Sequence, residues 1–311
     1  MVPDWNSQQW LAAYRAALRN RDFETVRTLR KSVFEHTVKV VLNGGYRDSD
    51  GEAVSVPWDE ELIKGTRMYQ EELPRLSPKR HATAFGVYHG DCLEAARMLS
   101  SGHQDTAVLN MANRQNPGGG VHQGAGAQEE YLFRCSNYFI SLYQYVHYAA
   151  LYGVPPAAGH RYPMDPNYGG CYSPGVTVFR GLEEDGYPLL KTPWKINFIA
   201  VAALNHPDLV LDADGEPWIA EALVPAVKNK MRTILRIAAE QEIRVLVMGA
   251  LGCGAFRNPP GHVASLFKEV FDEPEFKGQF EKVIFAIKED LNARGDGNVA
   301  PFVRVFGEIK L

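Results

Sequence analysis

Cysteine is scarce in this chain, and its spacing excludes two kinds of protein. Cys92, Cys135, Cys171 and Cys253 are scattered without a C-x-x-C pair. Neither a disulfide framework nor a structural zinc site is expected, and a reducing compartment suits the sequence. The nine histidines never recur at H-x-x-x-H spacing, so no metal site is indicated. No apolar run approaches 18 residues, and the start Met1-Val-Pro-Asp-Trp-Asn6 has no basic stretch leading into an apolar one. Neither membrane spanning nor export is expected, and the chain reads as cytoplasmic, or nuclear in a eukaryote. An excess of either charge is also lacking. A net charge of -4 over 311 residues gives no reason to expect strong non-specific nucleic-acid binding. One local basic cluster, Arg21, Arg27, Arg30 and Lys31, is expected to be a solvated helix face.

Core-forming residues are plentiful. With 45% hydrophobic and 11% aromatic residues, the chain can bury one large core or two modest ones. Its first 80 residues read as helix and then irregular chain. Phe23, Val26, Leu29, Val33, Phe34, Val38 and Val41 recur at three- and four-residue steps, one apolar stripe that Asn43-Gly44-Gly45 ends. Residues 1–80 are therefore expected to form an N-terminal helical extension on a main domain spanning 81–311.

From about residue 82, short apolar runs alternate with helical ones. Thr83 to Tyr88, Thr106 to Leu109, Val176 to Phe179, Phe198 to Leu204, Val245 to Met248 and Val283 to Ile287 are candidate strands. Leu93 to Leu99, Glu130 to Tyr143, Ile219 to Ala239 and His262 to Val270 are candidate helices. This alternation predicts an α/β domain with a mixed or parallel central sheet flanked by helices. Gly153 to Ser173, rich in Gly, Pro and Tyr, reads as a long irregular stretch that either covers a site or pads the surface. In such sheets ligands sit beyond the carboxyl ends of the strands, so the loops leaving them carry the information.

Two of those loops are rich in glycine. The first runs Pro117-Gly-Gly-Gly-Val-His-Gln-Gly-Ala-Gly-Ala-Gln-Glu-Glu130. Gly118, Gly119 and Gly120 permit positive φ and close approach of backbone amides to a ligand, and Gly124 and Gly126 keep the return path narrow. Gln128, Glu129 and Glu130 open the next helix, where the macrodipole alone would favour acidic residues. That preference does not explain three consecutive glycines, which cost conformational entropy. The second loop is Gly249-Ala-Leu-Gly252-Cys253-Gly254-Ala255-Phe256-Arg257. It suits a diphosphate cradled by backbone amides and a helix N-terminus, although it is neither a Walker loop nor a dinucleotide fingerprint. Asp91, between a strand and a helix, is an N-cap by position and also a candidate acceptor for the amine of a base. Asn113 is a candidate for a ribose hydroxyl or for stabilising the loop.

The pattern G-G-G, seven residues, Q-E-E resembles the signature of the poly(ADP-ribose) glycohydrolase branch of the macrodomain family. Gly252-Cys-Gly254-Ala-Phe256 is similar to the diphosphate loop of the same family, and a helical segment before the domain fits the compact microbial type. The resemblance spans roughly residues 20 to 290. It implies a macrodomain-like fold and a hydrolase of the ribose–ribose O-glycosidic bonds of poly(ADP-ribose), reversing ADP-ribosylation. Its ligands would be ADP-ribose, its polymer and ADP-ribosylated proteins. Glu130 would be the catalytic acid and Glu129 its partner, orienting the ribose. Gly118, Gly119 and Gly120, flanked by Val121 and Gln128, would contact the diphosphate and distal ribose, with Asn113 on that ribose. Gly252, Cys253, Gly254, Ala255 and Phe256 would hold the diphosphate, with the Phe256 ring on the ligand, and Asp91 would read the adenine amine.

The chemistry follows from first principles. Ribosyl bonds break through an oxocarbenium-like transition state, so a carboxylic acid must protonate the leaving oxygen and its carboxylate then activate water. No metal or redox cofactor is required. Neighbouring residues on a helix point about 100° apart, so the two glutamates should divide the work. A macrodomain that binds ADP-ribose without cleaving it, and a hydrolase of single ADP-ribosyl groups on protein or nucleic acid, are the alternatives; a mere reader has no need of Glu129-Glu130. His122 is expected to face solvent, and Ala203-Leu-Asn-His-Pro207 has no assigned role.

Overall fold

A computed structural model of the chain describes residues 4–79, 81–100, 105–159, 161–213, 215–289 and 297–311. In chain order the elements are α1 (Ser7–Arg19), α2 (Phe23–Leu42), β1 (Gly45–Arg47), β2 (Ala53–Ser55), α3 (Glu60–Gly65), β3 (Arg67–Tyr69), β4 (Ala84–His89), α4 (Cys92–Leu99) and β5 (Thr106–Met111). There follow α5 (Gln128–Cys135), α6 (Phe139–Leu142), β6 (Gly170–Arg180), β7 (Leu189–Val201), β8 (Leu209–Leu211) and β9 (Pro217–Ile219). The chain ends with α7 (Val224–Glu240), β10 (Val245–Met248), α8 (Pro260–Phe271), β11 (Lys282–Ile287) and α9 (Val299–Phe306). Seven strands form one sheet in the order β3-β6-β7-β5-β10-β11-β4. β7, β5, β10, β11 and β4 are joined in parallel, as the α/β pattern predicts.

The chain folds into two compact units. The first comprises residues 1–67, 115–163 and 173–196, and the second 68–114, 164–172 and 197–311. The N-terminal helices thus share a unit with the first glycine loop. In the first unit, α2 starts at Asp22, whose side chain accepts from the Thr25 amide at 3.0 Å, and stops before Gly44 at φ +76°, the left-handed stop expected of glycine. Its Phe34 ring packs on Phe133 and Phe139 at 6.3 and 6.2 Å. α1 adds a second stripe to the N-terminal helical segment, with Trp10, Leu11, Tyr14 and Ala17 buried at helical spacing.

In the second unit the central strands are continuous apolar runs because both faces are covered. Ala107, Val108, Leu109, Leu246 and Val247 are at most 1% exposed. Ile234, Leu235 and Ala238 of α7 and Val263, Phe267 and Val270 of α8 belong to the same core. Parallel strands place the carboxyl ends of β4, β5 and β10 at one edge of the sheet, which gathers the loops that follow them.

Four expectations need correction. The helix foreseen over 130–143 breaks at Ser136, whose backbone is extended. There the Ser136 hydroxyl donates to the Leu132 carbonyl at 2.7 Å, and Asn137 Oδ1 accepts from the Thr177 amide at 2.8 Å. Ser and Asn compete with helical backbone bonds in this way. The helix expected from Ile219 begins at Val224, with Pro225 in its first turn, while Ile219 belongs to β9. Gly170 to Ser173, read as irregular, are the start of β6, and His160 of that stretch lies outside the described residues. Arg30 is not on a solvated face: it is 19% exposed and pairs with Glu183 at 2.7 Å.

Candidate active site

In the first unit the triple glycine and the glutamate pair meet. Gly118 and Gly119 have φ +79° and +54°, a backbone that side chains other than glycine rarely adopt. That twist turns the amides onto the helix that follows. The Gly118 N–H donates to Glu129 Oε1 at 3.0 Å, and the Gly120 N–H to Glu130 Oε1 at 2.7 Å. Gly119 N–H donates to the Asn116 carbonyl at 2.9 Å. The three amides expected to approach a ligand are therefore engaged within the loop. A Cβ on Gly119 would lie 2.4 Å from Glu130 Oε1, so the absence of a side chain is what lets the carboxylates reach the loop.

Both glutamates are buried, Glu129 at 3% and Glu130 at 6% exposure. Glu130 is held through one oxygen only. Its Oε2 is buried and has no hydrogen-bond partner among the described residues. Buried polar atoms are nearly always satisfied, and an exception calls for a reason such as catalysis. Val121 is fully buried, and its amide donates to the Gly118 carbonyl at 3.0 Å; Gln128 is half-buried at the first position of α5.

The return path of the loop is closed by α2. A Cβ on Gly124 would fall 2.0 Å from the Arg27 carbonyl oxygen, and one on Gly126 would fall 2.1 Å from Arg30 Nη1. The sequence reading of a narrow path holds, and the wall that makes it narrow is the N-terminal helix. His122 does not face solvent as expected. It is half-buried, its Nε2 is 2.9 Å from the Tyr143 hydroxyl, and its ring packs edge-on to Phe34 at 5.2 Å. Burial, and then the Lys31 charge, lower its pKa, and burial raises that of Tyr143.

The second glycine loop, in the second unit, is built differently. Gly252 takes φ +76°, and a Cβ there would meet Ala203 Cβ at 2.5 Å and Asn258 Nδ2 at 2.6 Å. The Asn258 side chain donates to the Leu204 carbonyl at 2.7 Å and to those of Gly252 and Phe256 at 3.2 Å. The His206 N–H donates to the Phe256 carbonyl at 2.9 Å. Cys253 and Arg257 N–H groups turn back to the carbonyls of Ala250 and Gly254, both at 3.0 Å. The amides of Gly252, Gly254, Ala255 and Phe256 have no acceptor among the described residues. Cys253 is buried, which raises its thiol pKa, and Phe256 is half-buried.

Asp91 and Asn113 follow β4 and β5 at the same edge of the second unit's sheet. Asp91 caps α4, its Oδ1 accepting from the Leu93 and Glu94 amides at 2.8 and 3.1 Å. Asn113 is half-buried. One unit thus brings together Gly118 to Gly120 with Glu129 and Glu130; the other carries Asp91, Asn113 and Gly252 to Phe256 on one sheet edge. Sequence reasoning missed Asn258 and left Leu204 and His206 without a role; together they brace the second loop. The available signal was Asn258 directly before Pro259-Pro260, where a loop must turn into α8.

Comparison with known proteins identifies the family. Residues 35–181 match the family described as the catalytic domain of microbial-type PARG. The structure is similar to poly(ADP-ribose) glycohydrolase from Thermomonospora curvata, with a TM-score of 0.71 and 31% identity over 89% of this chain and 99% of that one. The form of that protein bound to the inhibitor ADP-HPD gives a TM-score of 0.68 at 30% identity, covering 88% and 98% of the two chains. The Deinococcus radiodurans enzyme in complex with ADP-ribose gives 0.60 at 29% identity, covering 81% and 98%. A search among curated proteins found no match. With the triple glycine and the paired glutamates in place and nearly the full length of a relative matched, the chain belongs to the microbial-type poly(ADP-ribose) glycohydrolases.

Proposed function

We propose that Glu130 is the general acid and base of this chain's poly(ADP-ribose) glycohydrolase reaction, which releases ADP-ribose by hydrolysing ribose–ribose bonds. The observation that carries the assignment is the asymmetry of its carboxyl group. Gly120 fixes Oε1, while Oε2 is buried and unpartnered among the described residues. An acid so held presents one oxygen in a set direction, as proton transfer within hydrogen-bond reach requires. Protonated, Glu130 delivers its proton to the leaving ribose oxygen as the glycosidic bond opens toward an oxocarbenium ion. The carboxylate left behind accepts a proton from the water that attacks the ribosyl carbon. Atoms and charge balance with water as the only co-reactant. Glu129, tied to Gly118, orients the ribose. Among solved relatives of this chain there is a glutamate-to-alanine variant of the Thermomonospora enzyme, a further reason to look to a glutamate.

The second loop takes the diphosphate. Four amides without an acceptor among the described residues form a nest for an anion, and Phe256 lies beside them as the ring that packs on the ligand. Asp91 reads the adenine amine and Asn113 the ribose. ADP-ribosylated proteins are the macromolecular substrates in this reading. No described helix is long and apolar enough to cross a membrane, and four buried free cysteines support a cytoplasmic setting. The test is release of free ADP-ribose from poly(ADP-ribosyl)ated protein. Wild type should release it, and Glu130→Gln should be slower by about 1,000-fold, within the range for a general acid. Retention of most activity by the variant would remove Glu130 from the role, and no release by wild type would overturn the reading itself.

A further inference from the structure

Arg134 lies on α5 one turn beyond Glu130, has 0% of its surface exposed, and belongs to none of the ligand-binding groups above. An arginine in the last turn of a helix serves the macrodipole equally well from the surface, so its full burial has another reason. Its Nη1 donates to the Ala125 carbonyl at 2.7 Å, and its Nε to the Tyr187 hydroxyl at 2.7 Å. Ala125 in turn donates its N–H to the Gly120 carbonyl at 3.1 Å, and Gly120 holds Glu130 Oε1. The chain of contacts runs Tyr187, Arg134, Ala125, Gly120, Glu130, all within one unit. It closes a ring, because Arg134 and Glu130 sit on the same short helix.

Tyr187, at the far end of that chain of contacts, is itself tightly held. It is fully buried and takes φ +53°, a left-handed backbone that a bulky residue adopts only when its surroundings impose it. Here Arg180 Nη1 donates to the Tyr187 carbonyl at 3.0 Å, and Trp10 meets its ring edge-on at 5.3 Å. The ring itself lies under the Arg134 guanidinium, 5.6 Å from its carbon. Arg180, also buried, is fixed by Thr37 Oγ1 at 2.9 Å, and the Thr37 hydroxyl donates to the Arg134 carbonyl at 2.6 Å.

We infer that Arg134, anchored by Tyr187, is a positioning residue for catalysis: it holds the 120–125 turn so that the Gly120 amide orients the Glu130 carboxyl. The inference rests on Glu130 as the acid. Misdirecting that carboxyl slows the chemical step more than it weakens binding, because Arg134 bonds Ala125, Tyr187 and Thr37 and the diphosphate cradle proposed above lies in the other glycine loop. Lysine keeps the charge but replaces the planar fork, whose Nη1 and Nε bond Ala125 and Tyr187 in fixed directions, with one ammonium nitrogen on a flexible stem.

The test compares Arg134→Lys and Tyr187→Phe with wild type and Glu130→Gln. It measures kcat and KM on poly(ADP-ribosyl)ated protein, with the folded fraction titrated by ADP-ribose binding. Per folded molecule, Arg134→Lys should lose about 30-fold and Tyr187→Phe about fivefold in kcat, with KM within twofold of wild type. A purely structural role would lower the folded fraction and the melting temperature and leave kcat per folded molecule unchanged. That result, with Glu130→Gln inactive, would overturn the positioning role and leave the acid assignment intact. If Glu130→Gln itself stayed active, the underlying reading would fail instead.

Discussion

The two glycine-rich loops have similar compositions and opposite wiring. Around Gly118 to Gly120 every amide is engaged, two by carboxylates of the helix that follows. Around Gly252 to Phe256 four amides have no acceptor among the described residues, and the Gly252 and Phe256 carbonyls are bound instead, by Asn258 and His206. A loop whose amides hold carboxylates positions an acid. A loop whose amides are left over attracts an anion. Glycine content alone does not distinguish the two; the difference lies in where the nearest carboxylates and side-chain amides fall in the chain.

If that contrast is right, equivalent substitutions in the two loops should damage different kinetic constants. Gly119→Ala combines φ +54° with a Cβ 2.4 Å from Glu130 Oε1. We predict the largest effect there, a loss of kcat of about 100-fold or more, equivalent to roughly 3 kcal/mol of transition-state stabilisation. Steady-state kinetics that put the loss in KM alone would contradict the division. Gly252→Ala meets Ala203 and Asn258 instead, and distorts the cradle without touching the acid. Its KM should rise about tenfold, or about 1.4 kcal/mol, with kcat within threefold. Removing the ring alone, Phe256→Ala, should weaken ADP-ribose binding about fivefold in a calorimetric titration; an unchanged dissociation constant would take Phe256 out of the site.

A last expected effect bears on stability rather than on turnover or binding, and concerns α8, the helix entered from the second loop. His262 Nδ1 accepts from the Ile219 amide at 2.9 Å, and burial lowers its pKa from 6.5 to about 4. The folded protein keeps the ring neutral, so the unfolded chain binds more protons between about pH 6.5 and 4. The stability present above pH 6.5 is therefore lost as pH falls through that window, by on the order of 3 kcal/mol. His262→Gln, whose amide oxygen can accept the same bond, should show a flatter melting temperature from pH 7 to 4. Parallel curves for the two proteins would remove His262 as the source.

Much of this was legible in the chain. Runs such as Ala107-Val-Leu-Asn110 and Val245-Leu-Val-Met248 are buried on both faces, and a strand of that kind declares itself by composition. The loops at their carboxyl ends followed from the fold class, and G-G-G with Q-E-E pointed to the first one. The less legible features depend on long-range partners. His122 looked like a polar loop residue because Phe34, Tyr143 and Tyr152, which surround it, come from other parts of the sequence. Arg30 joined a run of basic residues, yet its carboxylate partner Glu183 is 153 positions away. The break at Ser136 needed the backbone of Thr177 to satisfy Asn137. Local propensity carries no record of such partners.

The measurement that bears most directly on the account is the ADP-ribose affinity of Glu130→Gln, taken on the same preparation whose turnover is measured. Separate binding and acid functions predict a dissociation constant within about threefold of wild type, beside a turnover lower by about 1,000-fold. A dissociation constant that weakens in step with turnover would make Glu130 a binding residue, and the assignment of the acid would be wrong.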